Sequence, residues 1–243
     1  RQQNWFAVAL EFVIVIAGVV IGFQITAWNA ARQDRTLENE YLARIAGDLR
    51  EDVATMELRI GYWERVIAFG DQALDYADSQ GEAEPWPVVL AFYQASQFNP
   101  YSSQSTTFTE LQSAGDLRLI TNANLRAALS RYYNQNLARQ PSVYAFTPRY
   151  RETVRGVLPI ALQRYIWSNC YQFGRGADGF IDCASPVEAG RARRLADALA
   201  DNDALLRQLR FWMLNLAVSR DLMIGEIAFG RRLLEDIDTE LAE

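Results

Sequence analysis

Between Trp5 and Trp28 the chain reads WFAVALEFVIVIAGVVIGFQITAW, 24 residues broken by one carboxylate, Glu11, and one amide, Gln24. At a rise of about 1.5 Å per residue this run is roughly 36 Å long, enough to cross a hydrocarbon core of about 30 Å with some tilt. A tryptophan at each end suits the headgroup layers, where an amphipathic ring meets both apolar and polar surroundings. The competing readings are a buried core helix and a cleavable signal peptide, whose apolar region is shorter, about 7–15 residues. The sequence therefore predicts a transmembrane anchor over residues 1–30 and an extramembrane domain over residues 31–243.

The span is not uniform around its axis. At 100° per residue, Ala7, Glu11, Gly18, Gly22 and Asn29 fall within about 60° of one another, while the rest of the surface is Val, Ile and Phe. Gly18 and Gly22 form a GxxxG pair, which lets a second helix approach closely. A carboxyl group about 9 Å inside the first tryptophan is expensive in lipid unless protonated or paired. These five residues are the expected contact with another transmembrane helix, Glu11 meeting an Arg, a hydroxyl or backbone groups of that partner.

Composition narrows the chemistry. All 24 basic residues are arginine, so lysine and histidine are both absent from the 243 residues. Without them there is no Ser-His-Asp or Cys-His pair, no histidine metal ligand, no Schiff-base lysine and no phosphate-loop lysine. Two cysteines are too few for a thiolate zinc site unaided by carboxylates. A net charge of -6 argues against a nucleic-acid surface. No enzyme activity, no cofactor and no metal is expected.

Which side holds the domain is read from two signals. Arg1 is not an initiator residue, so further residues are expected before it and the flanking-charge count is incomplete. Taken literally, Arg32 and Arg35 outvote Arg1 and place the domain in the cytoplasm, but long domains translocate largely regardless of charge. Cys170 and Cys183 lie in one glycine-rich loop, 170–183. A disulfide there would contribute about 3 kcal/mol in the chain-entropy model and needs an oxidising compartment. Two unpaired thiols are the alternative. The expected topology is a single-pass bacterial inner-membrane protein, N-terminus cytoplasmic and domain periplasmic.

Beyond the span, Leu42, Ile45, Leu49, Val53, Met56, Ile60, Trp63 and Ile67 recur at spacings of 3 and 4, one apolar stripe on a helix reaching about Ser79. With no proline between Trp28 and Pro85, span and helix can be continuous. Leu206, Leu209, Met213, Leu216, Met223, Ile227, Leu234, Ile237 and Leu241 repeat the rhythm, with Arg220 and Gly230 in two slots. The two helices are expected to pack antiparallel, Arg220 pairing with an acid of the facing helix and Glu243 returning to the bilayer surface. Between them, residues 80–100 read as a hinge or loop, and shorter helices are punctuated by three signals. These are a capping box at Thr107 and Glu110 with Gly115 as terminator, a start at Thr121 with a stop before Pro141, and an N-cap at Ser185 followed by Pro186 and Glu188. The expected fold is all-α.

Two segments carry a resemblance. VALEFVIVIAGVVIGFQITAWNAARQD with EYLARIAGDLRED, and the later TFTELQSAGDLRLITNANLRAALSRYYN, resemble a widespread family of uncharacterised bacterial single-span membrane proteins. Trp28 and Asn29 carry its amide-tryptophan-asparagine element and Glu11 its acidic position. Leu111, Ser113, Gly115, Leu117, Leu125, Tyr132 and Tyr133 carry its second signature. Leu10 precedes Glu11 where the family has glycine as well as leucine, and Ala27 stands where an amide is common. The resemblance implies a membrane-anchored domain and no assigned activity.

Among charged clusters, Asp48, Glu51, Asp52, Glu235, Asp236, Asp238 and Glu240 read as solvated helix faces. Arg149, Arg151, Arg155 and Arg164 with Tyr144, Tyr150 and Tyr165 form a denser group, a candidate anion site. Two functions follow as expectations. The first is a non-catalytic accessory or assembly subunit of a larger inner-membrane complex, respiratory or photosynthetic assemblies being candidates. It would bind integral membrane subunits through the span, contact the lipid bilayer, and be open to homo-oligomerisation. The second is a periplasmic module sensing a small anion at the Arg/Tyr cluster.

Overall fold

The computed structural model describes residues 5–79, 83–172, 174 and 179–242, without the side chains of residues 7 and 8. The fold is all-α, as expected. Helix α1 runs unbroken from Trp5 to Asp78, 74 residues, and α8 from Asp203 to Ala242, 40 residues. The absence of an interior proline lets α1 continue through the end of the apolar stretch.

The two long helices pack antiparallel in one constant register. Gly70 faces Met213, and Gly230 faces Val53 and the Tyr132 ring. The residue numbers of the Gly70–Met213 and Gly230–Val53 pairs have the same sum, which fixes the register. Arg50–Asp238, Glu57–Arg231 and Asp78–Arg210 ion pairs run along the seam. These pairs are exposed and contribute little each. The interior does more, because Leu42, Ile45, Leu49, Met56, Trp63, Leu209, Met223 and Ile237 are all completely buried. Arg220 differs from expectation. It pairs with Asp221, its neighbour on the same helix, at 2.8 Å, because it sits at the half-exposed edge of the seam.

In this register Ala242 lies level with Tyr41, 13 residues past Trp28, roughly 20 Å along the helix. The described part of α8 reaches that level, and Glu243 itself lies outside the described residues.

Ten of residues 80–100 are helical. Residues 80–82 lie outside the described residues, but Pro85–Gln94 is helix α2, almost wholly buried between α1 and α7 (Ala189–Ala200). Both prolines sit in its first turn, where backbone N–H groups have no intrahelical partner, so neither removes a hydrogen bond. Trp86, Val88, Val89, Phe92 and Tyr93 fill the distal core.

Helix α3 (Thr106–Ala114) ends at Gly115, whose φ of 76° is left-handed, as its terminator role predicts. Its capping box does not form. Ser105 holds the N-cap position, the Thr107 amide donates to Asp48, and Glu110 turns outward to Arg44. A short 3-10 turn (Asp116–Leu119) leads to α4 (Ala123–Arg139), capped by Asn122, whose side chain accepts from the Asn124 and Leu125 amides. Thr121 is occupied elsewhere. After Arg139 the chain winds on through one π turn, Gln140–Tyr144, carrying Pro141. Helix α7 starts at Ala189 after Glu188, because the Ser185 hydroxyl closes a local turn with the Val187 backbone instead of capping.

The remaining elements are α5 (Arg149–Val157), α6 (Ile160–Asn169) and a two-residue antiparallel ladder, β1 (Tyr171–Gln172) with β2 (Gly179–Phe180). Cys170 and Cys183 are joined by a disulfide. It closes the segment carrying β1 and β2, of which residues 173 and 175–178 lie outside the described residues. Two cores result. One lies near the apolar stretch, built from Leu42, Leu49, Phe108, Leu129, Tyr133 and Leu233; the other is distal, around Trp63, Phe92 and Trp212.

Candidate functional site

The first 33 residues of α1 project from this body. Every described side chain from Trp5 to Leu37 is exposed, and the first buried residue is Glu38. An 18-residue window within this stretch has a mean hydropathy of 2.2 and no burial. Phe12, Val13, Ile14, Phe23 and Ile25 are each more than half exposed. Such a surface is long and apolar enough to cross a membrane, by length and composition.

Glu11, Gly18, Gly22 and Asn29 lie along one side of this free helix, all exposed; the side chain of Ala7, the fifth member, lies outside the described residues. A Cβ added at Gly18 or Gly22 would meet nothing within 4 Å, so the glycine face is an open groove. The Thr26 hydroxyl donates to the Gly22 carbonyl at 2.9 Å, satisfying itself within the helix. At the lower end the Arg32 guanidinium lies 5.8 Å from the Trp28 ring centroid, a cation–π contact at the edge of the apolar stretch.

The arginine and tyrosine residues between 144 and 165 do not share one site. Arg151 donates to the Ser96 carbonyl at 2.8 Å and to Gln97, and Arg155 donates to Gln97 at 3.2 Å while stacking on Tyr93. Both guanidiniums close the C-terminal end of α2, where unsatisfied carbonyls and the helix dipole favour cations. Burial and the adjacent Arg155 lower the Arg151 pKa from its usual value. Tyr150 is fully enclosed and donates to the Phe92 carbonyl at 2.7 Å. Tyr165 donates to the Ala184 carbonyl and packs edge-on against Trp86. Tyr144 stacks edge-on with Tyr101. Arg149 and Arg164 are exposed on different helices.

A second set of polar residues emerges that the solvated-face reading missed. Asp52 is fully buried, accepting from the Ser103 hydroxyl and the Gln104 amide, each at 2.6 Å, and from the Tyr132 hydroxyl at 3.3 Å. Glu38, also buried, accepts from the Thr121 amide at 2.6 Å and from its hydroxyl. With Asp48, these acids on α1 receive the free amides where α3 and α4 begin, and so moor the α3–α4 segment to the long helix. Burial raises the Asp52 pKa above the ordinary carboxylate value although its hydrogen bonds oppose this. Burial first, and the charge of Asp52 second, raise those of Tyr101 and Tyr132. A signal was present: Glu38 stands about five turns before Met56 and shares its direction, inside the apolar stripe.

No family model, curated protein or solved structure matches this chain. Among the described residues no group of three or more carboxylates or cysteines is placed to hold a metal. Buried Glu38 and Asp52 are consumed by backbone amides and hydroxyls, whereas the free helix keeps its surface exposed among the described residues.

Proposed function

We propose that the chain is a non-catalytic, single-span accessory or assembly subunit that docks onto a larger inner-membrane complex through residues 5–28. The observation that carries this reading is the bare, apolar first third of α1, with one small and polar side that none of the described residues covers. In lipid, close approach at Gly18 and Gly22 would supply packing, and a partner group would meet Glu11. Residues 29–37, exposed and carrying Arg32, Asp34 and Arg35, form a stalk of roughly 14 Å that holds the helical body off the bilayer. The Cys170–Cys183 disulfide supports a periplasmic body with a cytoplasmic N-terminus, since such a bond persists in an oxidising compartment. Membership of the single-span family described above is part of the same proposal.

Extraction of the full chain from native membranes in mild detergent tests the reading. Co-purification of one or more integral membrane proteins, lost on Gly18→Leu plus Gly22→Leu, is expected. Recovery as a lone monomer at every detergent level would refute it.

A further inference from the structure

Where α5 begins, it leaves an open cavity of about 560 Å³ against the first turns of α8, within the roughly 300–1,000 Å³ common for small-molecule sites. Phe146, Pro148 and Phe211 give it an apolar side; Arg149, Arg207 and Gln208 give it a polar one, and no acid lines it. Arg149 and Arg207 are both exposed, and neither forms an ion pair among the described residues. Gln208 Oε1 is buried with no hydrogen-bond partner, an omission that carries a free-energy cost unless a ligand or water meets it. Phe211 is 63% exposed although its neighbours Leu209 and Trp212 are buried in the core. The hollow bounded by Arg131, Arg139 and Arg232 is less apt, because Glu226 and Asp221 line it too.

We propose that this cavity binds a small organic anion with an apolar or aromatic body and a carboxylate head. Guanidinium groups stay charged at any physiological pH and pair with carboxylates in a planar, two-point fashion. Phe146 and Phe211 take the body, and Gln208 meets a donor near the head. α8 residues 204–211 lie level with α1 residues 72–79, roughly 65 Å along the helix from Trp28, so a lipid headgroup beside the apolar stretch cannot reach the cavity. The ligand is therefore a soluble molecule. The site is independent of the docking reading, and either can fail alone.

The test is saturation-transfer NMR on the full chain in nanodiscs, with 3-phenyllactate as probe. Saturable transfer to the ring protons with a Kd below about 1 mM is expected, at least tenfold tighter than for neutral 3-phenylpropanol. Arg149→Gln plus Arg207→Gln should weaken it at least tenfold, with circular dichroism unchanged, since both side chains are exposed. Arg164→Gln, a charge removed elsewhere, should leave it unchanged. Absence of saturable transfer, equal binding of the alcohol, or undiminished binding by the double variant overturns the proposal.

Discussion

Gly70 on α1 lies directly against the Met213 thioether on α8, so closely that a Cβ built on the glycine would overlap the sulfur. The pair sits where the two long helices press together in the distal core, with Met213 buried and Val66 and Ala73 beside the glycine fully so. Gly70→Leu should destabilise the body by about 2 kcal/mol through overpacking. Met213→Ala should restore part of that loss in the double variant. Denaturant unfolding followed by circular dichroism checks both, and equal stability of Gly70→Leu and the unchanged chain would contradict the packing.

Asp52 links stability to pH. Its folded pKa is raised above the unfolded value, so the folded state holds the proton more firmly in the window between the two. The contribution of this group is therefore greatest at pH below the unfolded value of about 3.8 and declines as pH rises through the folded value. Asp52→Asn keeps an acceptor for the Gln104 amide and removes the buried charge. The stability of Asp52→Asn relative to the unchanged chain should be most favourable at neutral pH and shrink as pH falls toward 4. A difference that grows on acidification would contradict the assignment. Asp52→Ala, which leaves the Ser103 and Gln104 donors unmet, should lose about 2 kcal/mol at neutral pH, and more as pH falls, because the unchanged chain gains stability there.

The disulfide holds more than its own loop. Around it, Gln94 donates to the Cys170 carbonyl at 3.0 Å, and Trp86 donates to the Cys183 carbonyl at 2.9 Å. Mass spectrometry of non-reduced, alkylated protein should find both cysteines protected. Cys170→Ser with Cys183→Ser should cost about 3 kcal/mol in the chain-entropy model, and should loosen α2 in hydrogen exchange. Quantitative alkylation of both thiols in protein from native membranes would remove the argument for a periplasmic body.

The long helices were legible because 3-4 spacing over about forty residues has no other low-energy solution, and because the missing slot at Gly230 proved to be the place where Val53 and Tyr132 close in. Local punctuation was read less well. Pro85 and Pro87 looked like loop markers, yet in a first turn proline is tolerated, and the apolar run behind them decided for a buried helix. The caps moved by one to three residues because Thr121, Thr107 and Ser185 each found a different partner: Glu38, Asp48 and the Val187 backbone. Those partners are remote in sequence or outside the helical periodicity, so spacing rules did not reveal them. The same holds for the arginines from 149 to 164. Proximity in the chain placed them on two helices, and only the fold brought Arg149 beside Arg207.

Photo-crosslinking residue by residue through the span, in native membranes, bears most directly on the docking reading. Probes at residues 11, 18, 22 and 29 should capture an integral membrane protein, while probes at residues 13 and 20, on the opposite side at 100° per residue, should not. Capture of nothing but lipid around the whole circumference, or equal capture on both sides, would contradict it.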